Sequence, residues 1–165
     1  MRGLVSGILG AGTLGAVALM LSAPVQAQST VGVWTVELGK KCAITQTWKG
    51  DNKNTIGIMI SYLAKGQGLL LAFFDTDTAY KDKEEFKVLL EVDKRWKAKV
   101  DGFAADKNTA AVVLQANSDS VRSLMEGKEL YMEVPDKPDN YSGTYSLDDT
   151  RKAIGALDSC RAQAD

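Results

Sequence analysis

Few residues in this chain are equipped for chemistry. Its 165 residues include no histidine and two cysteines, Cys42 and Cys160. Lacking histidine, the chain has no Ser-His-Asp or Cys-His catalysis and no His-ligated metal site. An enzyme built on it would need paired carboxylates, a lysine base or a borrowed cofactor. The nearest approach to paired carboxylates is Asp75-Thr76-Asp77, followed by Asp82, Glu84 and Glu85. Two acids on one side of an extended segment suit a Ca²⁺ or Mg²⁺ pair, which requires further oxygen ligands. Asp75 or Asp77 with Glu84 is alternatively a general acid and base for hydrolysis. The same charged run is also what a solvated loop carries. The expectation is no catalytic set, no metal and no cofactor.

The two thiols have a different use. In an oxidising compartment an even pair reads as one structural disulfide. Two thiols without histidine are a poor zinc set, and Cys160 falls in a helical pattern instead of a Cys-x-x-Cys loop. A Cys42–Cys160 bond would tie the start of the domain to its end, contributing about 4–5 kcal/mol on the chain-entropy model.

Other residues point to binding. Lys94, Arg95, Lys97 and Lys99 form a basic strip, with Lys97 and Lys99 alternating with Trp96, Ala98 and Val100. Trp34, Trp48 and Trp96 lie in expected strands. Trp34, Trp48, Arg95, Trp96, Lys97 and Lys99 are therefore the candidate binding surface for an acidic protein partner. Large aromatics also dominate cores, and a charged strand face is also what water demands, so both readings stand. The net charge of −1 gives no electrostatic case for nucleic acid or an anionic membrane.

The compartment is written at the N-terminus. Met1-Arg2-Gly3 is basic, Leu4 to Leu21 is uncharged and apolar, and Ser22-Ala23-Pro24-Val25-Gln26-Ala27 ends in small residues. These are the three parts of a secretory signal peptide, with cleavage expected after Ala27. A permanent anchor is the competing reading, since the run approaches the ~20 residues that cross a bilayer. Its glycines and Thr13 weaken that reading. The expected organisation is a signal peptide over 1–27 and one β-rich domain over 28–165, periplasmic or secreted, with no membrane span once the signal is removed.

Alternation of apolar and polar residues supplies the elements. Strands are expected over Val31–Leu38, Cys42–Trp48, Thr55–Leu63, Leu69–Phe74, Phe86–Val92, Arg95–Val100, Thr109–Gln115 and Glu129–Val134, with a short one over Ser142–Tyr145. Thr109–Gln115 is apolar on both faces, which marks a central strand. Asp101-Gly102 carries a hairpin signal. Ser118 caps a short helix ending at Gly127. Ser146 with Asp149 resembles a capping box for a last helix, whose apolar stripe is Ala153, Ile154, Leu157 and Cys160. The fold class is mainly β: an antiparallel sandwich or partly open barrel with a short helix and a C-terminal helix. Regular strand–helix alternation, the mark of a doubly wound sheet, is absent. Asn140-Tyr141-Ser142 is a formal glycosylation acceptor, meaningful only in a eukaryotic secretory pathway.

Two resemblances follow. Gly32-Val33-Trp34 resembles the Gly-x-Trp of lipocalin-like barrels and, with Cys42, the start of small periplasmic protease-inhibitor barrels. The longer match is to the invasion-associated locus B family of secreted bacterial proteins. It runs through Trp34-Thr35-Val36, Cys42-Ala43-Ile44, Ile56-Gly57-Ile58, Leu69-Leu70-Leu71, Leu124 to Gly127-Lys128-Glu129-Leu130, and Ser146-Leu147 to Ala153 and Leu157. That resemblance implies a periplasmic or secreted β-sandwich with no catalytic residues to carry over. The first functional expectation is a non-enzymatic domain acting on an unidentified protein partner in the envelope or host. The alternative is a small barrel that binds an apolar ligand or a secreted enzyme, and the third is a carboxylate-based hydrolase.

Overall fold

The computed structural model describes residues 27–38, 42–63, 67–115, 118–138 and 141–164. The expected signal peptide, apart from Ala27, lies outside them, as do Asn140 and the Gly39-Lys40-Lys41 turn. Among the described residues, ten strands form one antiparallel sheet: β1 (Ala27–Val31), β2 (Trp34–Leu38), β3 (Ala43–Lys49), β4 (Thr55–Tyr62), β5 (Gly68–Asp75), β6 (Glu85–Val92), β7 (Trp96–Asp106), β8 (Thr109–Gln115), β9 (Glu129–Glu133) and β10 (Ser142–Ser146). Helix α1 (Asp119–Glu126) precedes β9, and α2 (Thr150–Ala164) follows β10. The spatial order is β1-β2-β3-β4-β5-β8-β7-β6-β9-β10. Strands β6, β7 and β8 are consecutive neighbours and β5 lies beside β8, which is a Greek key.

The sheet is not closed by hydrogen bonds, but it curls onto itself. Tyr145 of β10 sets its ring 5.3 Å from Phe73 of β5 and 5.5 Å from Trp48 of β3. Gln46 Nε2 of β3 donates to the Ser146 carbonyl at 2.9 Å. The β9–β10 end thus lies over the inner face of β3–β5. Val36, Ile44, Ile60, Leu71, Leu90 and Leu130 point into the space between and are fully buried. Burying that face supplies the main driving force at roughly 25 cal/mol per Å².

Helix α2 seals this core where the sequence placed its apolar stripe: Ala153, Ile154, Leu157 and Cys160 are all buried. Cys160 bonds Cys42, just before β3, across 118 residues with Cα atoms 5.9 Å apart. The start of α2 is also pinned. Trp34 of β2 is fully buried, and its indole Nε1 donates at 3.1 Å to both the Asp148 carbonyl and Thr150 Oγ1. In α1, Ser118 Oγ accepts from Val121 N at 3.3 Å, as the cap signal predicts.

Three local expectations are corrected. Val31–Leu38 is not one strand: it breaks at Gly32-Val33 into a hairpin that pairs Val31 with Trp34. Gly32 adopts φ +57°, and a Cβ there would lie 2.2 Å from the Asp149 carboxylate, so both conformation and space demand glycine. Asp101-Gly102 is not a hairpin, because β7 runs through it to Asp106. Gly102 serves close packing instead: a Cβ would meet Val88 Cγ2 at 2.5 Å. The turn comes later, where Asp106 accepts from Asn108 N at 2.7 Å and Thr109 Oγ1 at 2.9 Å. The last helix begins at Thr150, not at Ser146. Ser146 closes β10, with its Oγ accepting from Asp148 N at 3.2 Å, and the first helical bond runs from Ala153 N to Asp149 O.

Candidate functional site

The β6–β7 hairpin carries the basic strip. Asp93 and Lys94 both sit in the left-handed region, φ 50° and 59°, a conformation that Asp tolerates better than most residues. The Asp93 carboxylate faces the α1–β9 turn and accepts from Lys128 N and Glu129 N, each at 3.0 Å. These two backbone donors, more than neighbouring charges, hold its pKa below the usual carboxylate range. The hairpin tip is thereby fixed to the turn that leads into β9, the strand beside β6. Between them lies an open depression of about 1020 Å³, bordered by Asp93, Arg95, Lys128, Glu129, Tyr131 and Asp148. Its lining mixes both charge signs with hydroxyls, the chemistry of a polar protein contact and not of an apolar ligand pocket.

The six candidate surface residues separate. Arg95, Lys97 and Lys99 are exposed, and Lys97 pairs with Glu91 across the hairpin at 3.2 Å. Trp96 is half-buried and packs against the core. Trp48 stands at the rim, 36% exposed, with its ring edge-on to Tyr145. Trp34 does not belong to any surface, because it lies in the core and holds α2. No aromatic patch joins the three tryptophans; only Trp96 lies with the cations.

The acidic loop is occupied by its own structure. Asp75 Oδ1 accepts from Asn54 Nδ2 at 2.6 Å and from Asp77 N at 2.9 Å. Glu84 accepts from Lys137 Nζ at 2.7 Å and Lys81 N at 3.0 Å, and the Lys137 contact is the main cause of its lowered pKa. Lys137 also lies over the Tyr80 and Tyr141 rings, at 5.8 and 5.7 Å. These contacts latch the 135–138 turn to the 79–84 loop. Among the described residues no three His, Cys, Asp or Glu converge to hold a metal ion. Asp75 borders a cavity of only about 20 Å³ with Phe73, Tyr80 and Tyr145, and Glu84 is not part of its wall. Burial raises the Tyr80 and Tyr145 phenols well above their ordinary pKa. A space that size holds about one water, so this part of the interior offers no room for an apolar ligand.

Sequence reasoning missed the indole bonds of Trp34 and the anchoring role of Asp93, since neither partner is near in sequence. It also left unread the outward side of β5 and β8. Leu70 and Phe74 on β5 and Val113 on β8 alternate with core residues yet face outward, and Val113 is 43% exposed.

Fold and site together define a curled antiparallel sheet, sealed by a disulfide-anchored helix, with its polar chemistry on the surface. No family model matches the chain, and no curated protein sequence matches it. Among solved structures it is similar to invasion associated protein B from Bartonella henselae, at 17% identity and a TM-score of 0.58. The similarity covers 82% of this chain and 99% of that one, and shows a shared fold. No described helix is long and apolar enough to cross a membrane.

Proposed function

We propose that this chain is an exported, non-enzymatic β-domain that acts through its surface on protein partners in the bacterial envelope or host. The observation that carries the reading is the fold shared with an invasion-associated protein over almost all of that protein's length. The lack of histidine, the self-occupied carboxylates of the 75–85 loop and the Cys42–Cys160 bond support it. The basic hairpin with its adjoining depression is the contact surface, and an acidic protein segment is the partner chemistry it fits.

Two measurements on protein from the exporting host test this. Intact mass should correspond to Gln28–Asp165 and rise by two hydrogens on reduction. Cross-linking in intact cells should yield a reproducible envelope or host protein that the triple variant Arg95→Glu, Lys97→Glu, Lys99→Glu no longer captures. Free thiols in the native protein would defeat the export reading, and equal capture by the triple variant would defeat the proposed surface.

A further inference from the structure

An antiparallel sheet with one face in water normally alternates apolar-in and polar-out. The flanking strands largely obey: β3 sends Thr45 and Thr47 outward, and β6 sends Glu85, Lys87 and Glu91, with Leu89 the exception. The central strands do not. Residues in register across the outer face read Thr45, Met59, Ala72, Ala111, Phe103 and Glu85, from β3 through β4, β5, β8 and β7 to β6. The next row reads Ser61, Leu70 and Val113, with Asp101 following on β7. Phe103 is 39% exposed and Val113 43%, while the ring of Phe74 lies across Gly57 beside them. The result is an outward apolar patch with a shallow floor at Ala72 and Ala111.

Both rows are mirrored about the line between β5 and β8. Each passes from a polar residue to a large apolar one at the midline or one strand away, then back to a polar residue. The charges are not mirrored: hydroxyls border the patch on the β3–β4 side, and Glu85 with the Lys87–Asp101 ion pair borders it on the β6–β7 side. We propose that a second copy of this chain covers the patch, packed outer face to outer face about a two-fold axis running between β5 and β8. That operation sets Leu70 against the partner's Val113 and Phe103 beside the partner's Met59. It also brings Asp101 and Glu85 to the hydroxyls of the partner's Ser61 and the partner's Thr45. Donors meet acceptors and no like charges face one another, which is the self-complementarity an isologous contact requires. The usual rotation of about 30° between stacked sheets lets the large side chains interdigitate instead of colliding. A lipid surface fits less well, because Lys87 and Lys97 are already paired with Asp101 and Glu91, and Asp101 and Glu85 put carboxylates on the border of the patch. The contact adjoins the basic strip assigned to a partner protein, since Lys99 lies two residues from Asp101 on β7, but the patch variants leave Arg95, Lys97 and Lys99 in place.

Sedimentation equilibrium of the disulfide-intact protein tests the assignment, with Val113→Lys and Phe103→Glu as patch variants and Lys53→Glu as a control outside it. The expected result is a wild-type dimer whose Kd rises at least about tenfold in each patch variant and stays within about twofold in the control. Unchanged near-UV circular dichroism would exclude misfolding of the variants. Benzoylphenylalanine at position 103 should photocross-link to Met59 of a second copy. A wild-type monomer throughout the micromolar range, a dimer indifferent to both patch variants, or adducts only on another protein or on lipid would each overturn the proposal. None of those outcomes bears on the triple-variant capture experiment, so the two readings fail separately.

Discussion

Single residues carry much of the specificity of this fold, and their partners are distant in sequence. Trp34 fills the core and satisfies two acceptors at the start of α2. Trp34→Phe retains most of the apolar volume but leaves Thr150 Oγ1 and the Asp148 carbonyl without that donor. A loss of about 1–3 kcal/mol is expected in urea unfolding, the cost of orphaned buried polar groups. Asp93 acts through charge. Its depressed pKa means that the folded state holds the carboxylate ionised more tightly than the unfolded chain does. That contribution is complete above the unfolded value of about 3.9 and is lost as pH falls through the folded value. Glu84, held by Lys137, has the same sign. Asp93→Asn should therefore flatten the acid limb of stability below about pH 4 relative to wild type. Urea midpoints measured across that limb would reveal an unchanged slope if Asp93 were not an anchor.

At the scale of elements, alternation identified most strands, and the Ser118 cap located α1. Where elements were misjudged, a local signal had two physical causes. Glycine after Asp marks a turn because it tolerates positive φ, and it also marks close packing because it lacks a Cβ. At Gly102 the second cause operates, with Val88 on β6 filling the space. Gly102→Ala should destabilise by about 1–3 kcal/mol, the usual cost of overpacking. A neutral result in chemical denaturation would mean that Val88 gives way to the added methyl and that close packing does not demand glycine there. At Gly32 both causes operate, which explains why an alternating run that looked like one strand folds as a hairpin. The capping pattern at Ser146 failed for a related reason. That serine is already committed to β10, and the helix can begin only where Trp34 meets Thr150.

At the scale of the whole molecule, the Cys42–Cys160 bond closes a loop with a sequence separation of 118 residues, from just before β3 to the last helix. Replacing both cysteines with serine should cost about 2–4 kcal/mol. Hydrogen exchange should show α2 opening before the sheet, since the helix is the element the bond secures. Uniform loss of protection would mean that helix and sheet unfold as one unit. The sequence alone determined that histidine chemistry is absent, that the chain is mainly β, which residues share a strand face and which face of the last helix is apolar. All of these depend on residue type and short-range period. Only the tertiary structure decided what each face meets. It put Trp34 in the core and Trp48 at the rim, committed Asp75 and Glu84 to neighbouring loops, and left the outer side of β5 and β8 open. Periodicity tells which side chains point the same way, whereas the covering of that side depends on how the sheet curls and on contacts between residues far apart in the chain.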